Sequence, residues 1–355
     1  MHSIGIALLI TLGIGPMGPD APAREPQLAV KGSTVALAFG AGHAIYFTQS
    51  ADSGKTFGKL LKVAESAIIP LTRHRGPRIA FAGTTIVITA VVGKTAADGP
   101  HAHGLPSDGD LTAWRSTDGG RTWSAGIVVN DAAGAATEGL HALADDDKGN
   151  LFAAWLDKRG HGTKLFGSRS NDGGQTWSPN VLIYASPDGT ICECCHPSVA
   201  FDRDGKILVM WRNWLGGSRD MYLATSSDGN RFSSPQKLGD GTWKLNACPM
   251  DGGGIAVPAG GVVTAWRRDH ALFLARPGQA EVQIGEGTDI AIAAGALGTY
   301  AIWSGPAGVQ VLTPEDKKPT TLGVKGTFPA IAALPSGGAI AAWENDGSIV
   351  IQPLN

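Results

Sequence analysis

Ser116-Thr117-Asp118-Gly119-Gly120-Arg121-Thr122-Trp123 returns further along the chain as Ser170-Asn171-Asp172-Gly173-Gly174-Gln175-Thr176-Trp177, and a looser copy, Ser50-Ala51-Asp52-Ser53-Gly54-Lys55-Thr56-Phe57, precedes both. A fourth copy, Ser226-Ser227-Asp228-Gly229-Asn230-Arg231-Phe232, is one residue shorter. The chemistry is that of a tight turn. Aspartate accepts hydrogen bonds from nearby backbone N–H groups, glycine takes up positive φ, and the closing aromatic buries its ring. One Asp-Gly-Gly says little, whereas long matches at several places mark a repeated unit, and a repeat decides the architecture. Asp52, Asp118, Asp172 and Asp228 are therefore read as structural, on turns away from any active centre.

Apolar pairs of strands run between and beyond these octets, over 143–155, 199–211, 255–266, 292–303 and 331–343, each closing on a tryptophan. The links inside them, such as Asp147-Lys148-Gly149-Asn150, Asp204-Gly205 and Ser336-Gly337-Gly338, are hairpin sequences. Together the two signals predict an all-β chain of four-stranded antiparallel blades, a β-propeller. The blades fall at about 27–64, 77–131, 140–185, 196–239, 250–286, 288–324 and 327–353. Seven is the count, with six as the alternative because the last unit shows only three strands. The tryptophans are expected between blades rather than against a ligand.

The repeated octet resembles the Asp-box, or bacterial neuraminidase repeat, and from about Gln27 onward the chain resembles the sialidase-like propellers. The resemblance implies a glycoside hydrolase of exo-sialidase type that acts on or binds an acidic glycan. Asp boxes also occur in non-enzymatic propellers, so a binding or assembly module is the alternative.

Composition agrees with one large β domain: of 355 residues 50 are glycine and 21 proline, and 17% are charged. A net charge of -2 gives no electrostatic case for nucleic acid or an anionic membrane as main partner, leaving a small molecule, a glycan or a protein. An apolar run from Ile4 to Ile14 followed by Ala21-Pro22-Ala23 fits a signal peptide over 1–23, with a single domain over 24–355 exported to the periplasm or the exterior. No Lys or Arg precedes the run, so a membrane-tethered N-terminus is the alternative. No later run is long enough to span a bilayer.

In such a blade the connection into the first strand and the loop after the second lie on one face, where ligands are usually met, and the octets lie on the other. This rule puts Arg73, His74, Arg75, Arg78, Glu138, His141, Asp157, Arg159, Arg212, Asn213, Asp251, Arg267, Arg268, Asp269, His270 and Glu344 on the working face. The insertion over 93–110, with His101 and His103, reads as a lid or as a loop without a role. Sialidases bind a substrate carboxylate with three arginines and attack with a tyrosine activated by glutamate, with an aspartate as acid/base. By that resemblance Arg78, Arg212 and Arg267 are a candidate carboxylate clamp, with His141, Arg159 and His270 as further substrate contacts. Glu138, Asp157, Asp251 and Glu344 are candidate acid/base groups. The family's Phe-Arg-Ile-Pro motif is absent, Arg78-Ile79 lacks its proline, and none of the four tyrosines stands out.

All four cysteines fall in two loops leading into neighbouring blades, Cys192-Glu193-Cys194-Cys195-His196 and Cys248-Pro249-Met250. Export and an even count favour disulfides, with Cys248 paired to one of the other three because adjacent Cys194 and Cys195 can join only through a strained bond. The alternative is a soft-metal or redox site of Cys192, Cys194, Cys195, His196, Cys248 and Met250, with thiolate and thioether favouring copper(I) and thiolate with imidazole favouring zinc. No cofactor is otherwise indicated.

Overall fold

The structure is a computed structural model that describes residues 11–99, 102 and 104–354. It is a seven-bladed propeller of four-stranded antiparallel sheets without helices among the described residues. Blades 1 to 6 cover 23–65, 78–128, 141–184, 198–237, 254–286 and 288–323, each built in chain order from the inner strand outward. The hairpin sequences set these limits: each positive-φ glycine or aspartate turn lets the chain double back without steric cost.

Blade 7 is assembled from both ends of the chain. Its inner three strands are Thr327–Ala333, Ala339–Asn345 and Ser348–Leu354, and its outer strand is Leu12–Ile14, with Leu12 opposite Ile351 and Ile14 opposite Ile349. This accounts for the last unit reading as three strands. Leu12 and Ile14 pack against the cluster around Phe39, Ile340, Ile349 and Ile351, and Ala23 is fully buried with its N–H donated to Gly347 O. A leader ending at Ala23 and this strand are two uses of the same residues. Residues 1–10, which carry most of the apolar run, lie outside the described residues. No helix among the described residues is long and apolar enough to cross a membrane.

Each octet joins the third strand of its blade to the fourth and makes the predicted bonds. Asp118 accepts from Thr122 N (3.0 Å), Thr122 Oγ1 (2.6 Å) and Ser116 Oγ (2.8 Å), while Ser116 Oγ accepts from Gly120 N (2.8 Å). Asp52 and Asp172 repeat the pattern, and Asp228, in the shortened copy, instead accepts from Asn230 N and Arg231 N. The turns also hold the ring together, because each octet slides under the preceding blade. Gln49 Nε2 donates to Gly119 O, Arg115 Nη1 to Gln175 Oε1 and Arg169 Nη1 to Asp228 O. A Cβ on Gly120 would lie 2.1 Å from Cε1 of Phe47 in blade 1, and φ there is 82°. Gly120→Ala is therefore expected to destabilise the fold by about 2–4 kcal/mol, from left-handed strain and overpacking together. Denaturant unfolding checks this, and an unchanged midpoint would deny the octet a role between blades.

The tryptophans also sit between blades. Trp155, Trp211 and Trp303 are fully buried, Trp266 and Trp343 nearly so. Trp155 packs with Ala80 and Val87 of blade 2, and Trp211 with Phe152 and Leu165 of blade 3. Trp343 closes against Val309 and Gly323 of blade 6 and Gly326 of the following link, where a Cβ would lie 3.2 Å and 2.4 Å from the indole at the two glycines.

Candidate functional site

The inner strands leave a cavity of about 230 Å³ along the axis, walled by backbone and aliphatic side chains and carrying polar groups from His74, Arg78, His196, Ser198 and Asp289. A second, larger cavity of about 820 Å³ lies on the working face between the 93–110 insertion and the loops bearing Arg73, Glu138, Cys194 and Cys248. The loops over 73–78, 193–198 and 248–254 supply lining to both.

At the axis, His74 Nε2 meets Asp289 Oδ1 at 2.9 Å, and the imidazole stacks on His196 (centroids 4.4 Å apart) with the edge of Phe328 against it. Glu25, buried behind, accepts from His74 N (2.9 Å) and donates its own N–H to Glu344 Oε1 (2.7 Å), while Glu344 pairs with Arg24 (3.0 Å). Arg78 donates to His74 O (2.6 Å) and Pro77 O (2.9 Å). Glu25, His74, Met250, Asp289 and Phe328 all have φ between 50° and 65°. Such strain in non-glycine residues persists only where the surroundings impose it, and it collects at functional sites.

Burial pushes the Glu25 carboxyl up to about 8 against the opposing pull of His74 and Arg78, with the nearby Glu344 charge adding to the rise. Burial alone would lower His74, but its bond to Asp289 and the Asp289, Glu25 and Asp251 charges outweigh it, so the imidazole is raised. Burial would raise Asp289, yet the His74 bond and charge hold it below the usual carboxylate range. His196 is driven far down by burial and by the charges of His74 and Arg78, and its buried Nδ1 has no hydrogen-bond partner among the described residues. An imidazole driven down by burial thus lies on one drawn up by its carboxylate partner, beside a carboxyl held low and another pushed up.

The predicted working-face residues divide into groups. Arg212 is buried and donates from Nε to Asp251 O, from Nη1 to Arg219 O and from Nη2 to Arg267 O. Arg267 Nη2 donates to Pro249 O, and Arg78 donates to its own loop. Loop carbonyls take up most of the Arg212 guanidinium, whereas Arg267 keeps Nε toward Asp251 Oδ2 (3.5 Å) and Arg78 lines the axial cavity. Arg159 is fixed by Asp157, Asp131 and Asn180 as a latch between blades 2 and 3, and buried Asp157 also accepts from Trp155 Nε1 (2.8 Å). His141 is fully buried with Nε2 against Thr89 Oγ1 (3.0 Å), and burial brings it down to about 3, so it lies in the core as a neutral ring. His270 is exposed on a turn. Asp251 is buried, its Oδ2 accepting from Asp289 N (3.0 Å), and Glu344 is the buried partner of Arg24. Glu138 remains on a cavity wall, paired with Lys158 at 3.0 Å.

None of the four tyrosines lines either cavity. Tyr300 is buried, Tyr46 stacks on Phe39, Tyr222 stacks on Trp211, and Tyr184 accepts from Asn213. The insertion forms one wall of the larger cavity, anchored where Asp108 accepts from Lys94 N and Thr95 N; His101 and His103 lie outside the described residues. The sequence reading missed Glu25 and Asp289. Both stand, like Phe328, at a bulge near the start of an inner strand, and aligning Glu25-Pro26-Gln27, Asp289-Ile290-Ala291 and Phe328-Pro329-Ala330 across blades is the signal that finds them.

The cysteines gather as expected in part. Cys192, Cys194 and Cys195 are buried with sulfur separations of 2.9, 3.7 and 4.0 Å, and Arg219 Nη1 lies 3.1 Å from Cys192 Sγ. Cys248 is exposed at the cavity wall with its thiol against Cys194, and the four sulfurs are unbonded in this structure. Burial opposes ionisation of Cys192, but bonds from the two neighbouring thiols and the charges of Arg212 and Arg219 bring it well below the usual thiol range. His196 turns away toward the axis, its Nε2 on Gly253 O (3.1 Å), which removes it from the sulfur cluster.

No protein-family model matches the sequence, and no curated protein matches it. The fold is that of glycan-acting propellers. An α-L-arabinanase of Penicillium chrysogenum solved with arabinobiose superimposes over 98% of this chain and 97% of its own, at 14% identity and a TM-score of 0.58. An ulvan lyase matches over 98% and 96%, at 11% identity and 0.58. The intramolecular trans-sialidase of Ruminococcus gnavus matches over 94% of both chains, at 12% identity and 0.54. At these identities the likeness is one of architecture: this chain shares the seven-bladed propeller fold of these proteins.

Proposed function

We propose that the protein binds an acidic glycan on its working face and cleaves it by acid–base chemistry centred on His74. The observation that carries this reading is the His74–Asp289 pair at the axis, braced by Glu25 from behind and set between Arg78 and His196. A carboxylate on one imidazole nitrogen fixes the ring and stabilises its charged form, the arrangement that general acid–base catalysis requires. Exposed Arg73 and Lys158 on the neighbouring cavity wall offer cations to an anionic sugar. The related folds act on arabinan, sialosides and ulvan, which makes a glycan the first ligand class to try. No tyrosine reaches the cavities, so the reading departs from the sialidase nucleophile and rests on histidine and carboxylate.

The test is a panel of neutral arabino-oligosaccharides, fluorogenic sialosides and uronate polysaccharides, read by reducing ends and by the ultraviolet absorbance of unsaturated products. Wild-type protein is expected to cleave an acidic member. His74→Gln and Asp289→Asn are expected to lose about 10²–10⁴-fold in kcat, measured below the lowered melting point that the loss of this buried pair brings. Binding without any product would make the protein a glycan-binding module, and full activity in His74→Gln would remove the histidine from the chemistry.

A further inference from the structure

A second site, separate from the His74 centre, is built from sulfur. Cys192, Cys194 and Cys195 come from one four-residue loop, yet their Sγ atoms face one another within 4.0 Å. Three thiolates around a first-row metal at about 2.3 Å stand about 3.8–4.0 Å apart, so two of the three separations already fit and only the Cys192–Cys195 gap must open. We propose that this trio is a trigonal thiolate site for a soft monovalent ion, copper(I).

The donor set selects the metal. Zinc in a closed structural site takes four tetrahedral ligands, thiolates alone or thiolates with imidazole, so three sulfurs leave it one short. Here His196 is turned to the axis, Glu193 bonds Thr190 Oγ1 (2.9 Å), and exposed Cys248 touches Cys194 at the cavity mouth without joining the mutually close trio. Met250, a thioether, packs on the three sulfurs. Thiolate and thioether without a hard donor favour copper(I).

Charge and access agree. Each ligating thiol gives its proton to solvent, so one copper(I) and three thiols form a complex of charge -2 and three protons, with no change of oxidation state. Arg219, 3.1 Å from Cys192 Sγ, lies where that negative charge collects, and Cys192 N is tied to Arg212 O. A disulfide within the trio would use two sulfurs and leave both the third thiol and the arginine without a purpose. Cys194, Cys248 and Met250 line the larger working-face cavity, so sulfur leads from the surface to the buried cluster.

The full chain, reduced and kept anaerobic, should be titrated with copper(I) against a chromogenic copper(I) chelator. One ion per chain is expected to be retained, with ultraviolet thiolate-to-copper absorption, and Cys194→Ser should weaken retention about 10–100-fold. Wild-type protein supplies a second readout that needs no variant: bound copper should shield Cys192, Cys194 and Cys195 from alkylation and leave Cys248 reactive. Loss of all copper to the chelator, or tighter retention of zinc than of copper(I), would overturn the assignment. A Cys192–Cys195 disulfide that survives mild reduction would overturn it as well.

Discussion

A chain that begins at Arg24 should melt well below the full chain, with a loss of about 3–5 kcal/mol from the half-buried Leu12, Ile14, Met17 and Ala21. The deleted residues include the outer strand of blade 7 and the N–H of Ala23 that holds Gly347 O. They are also the link by which the end of the ring is fastened to its beginning. Ile14→Asp in the intact chain separates the strand from mere length, since it keeps the backbone and puts a charge against Ile349. Equal melting of both chains in differential scanning calorimetry would show that a three-stranded seventh blade suffices. The measured N-terminus of the protein after expression in its host then decides which use of these residues is real.

Glu25→Gln should stabilise the protein in alkaline solution and leave it unchanged in acid. In the fold this carboxyl holds its proton to about 8, whereas unfolded it releases it near 4.5. The folded state therefore binds more protons across that window, and stability falls as pH rises through it and levels off above. Glutamine keeps the oxygen that accepts from His74 N and cannot ionise. The gain expected at about pH 9 is on the order of 4 kcal/mol, against nothing at about pH 4. Urea unfolding at the two pH values checks it, and a difference of equal size at both would mean that the substitution acts through packing.

The blades were legible because turn chemistry and alternation are local. Asp118, Gly120 and Thr122 state their turn without reference to the rest of the chain, and each tryptophan-closed hairpin states its own register. The fourth strand of blade 7 was not legible, since three residues of an apolar run read equally well as a leader. Counting parity along an inner strand assigns faces correctly until a bulge adds a residue, and Glu25 and Asp289 stand at such bulges. The surroundings of the arginines were not legible for a different reason. Sequence shows the charge on Arg212 but not the three backbone carbonyls that surround it. The cysteine trio was visible as spacing, while the turning away of His196 needed the stack on His74.

The octets are confined to blades 1 to 4, so the seams they wedge are those on one side of the ring, between blades 7 and 1 and onward to blade 4. The seams from blade 4 round to blade 7 have no octet and rely on tryptophan and aliphatic packing with a few loop bonds, such as Arg212 to Asp251 O and Asp289 N to Asp251 Oδ2. In hydrogen-exchange terms that arc should open more readily, with amides of blades 5 and 6 exchanging ahead of those in blades 1 to 3. His74 belongs to the wedged side and Asp289 to the other, and their 2.9 Å contact bridges the two. A ligand that fastens both would slow exchange far from its own contacts, along the whole unwedged arc.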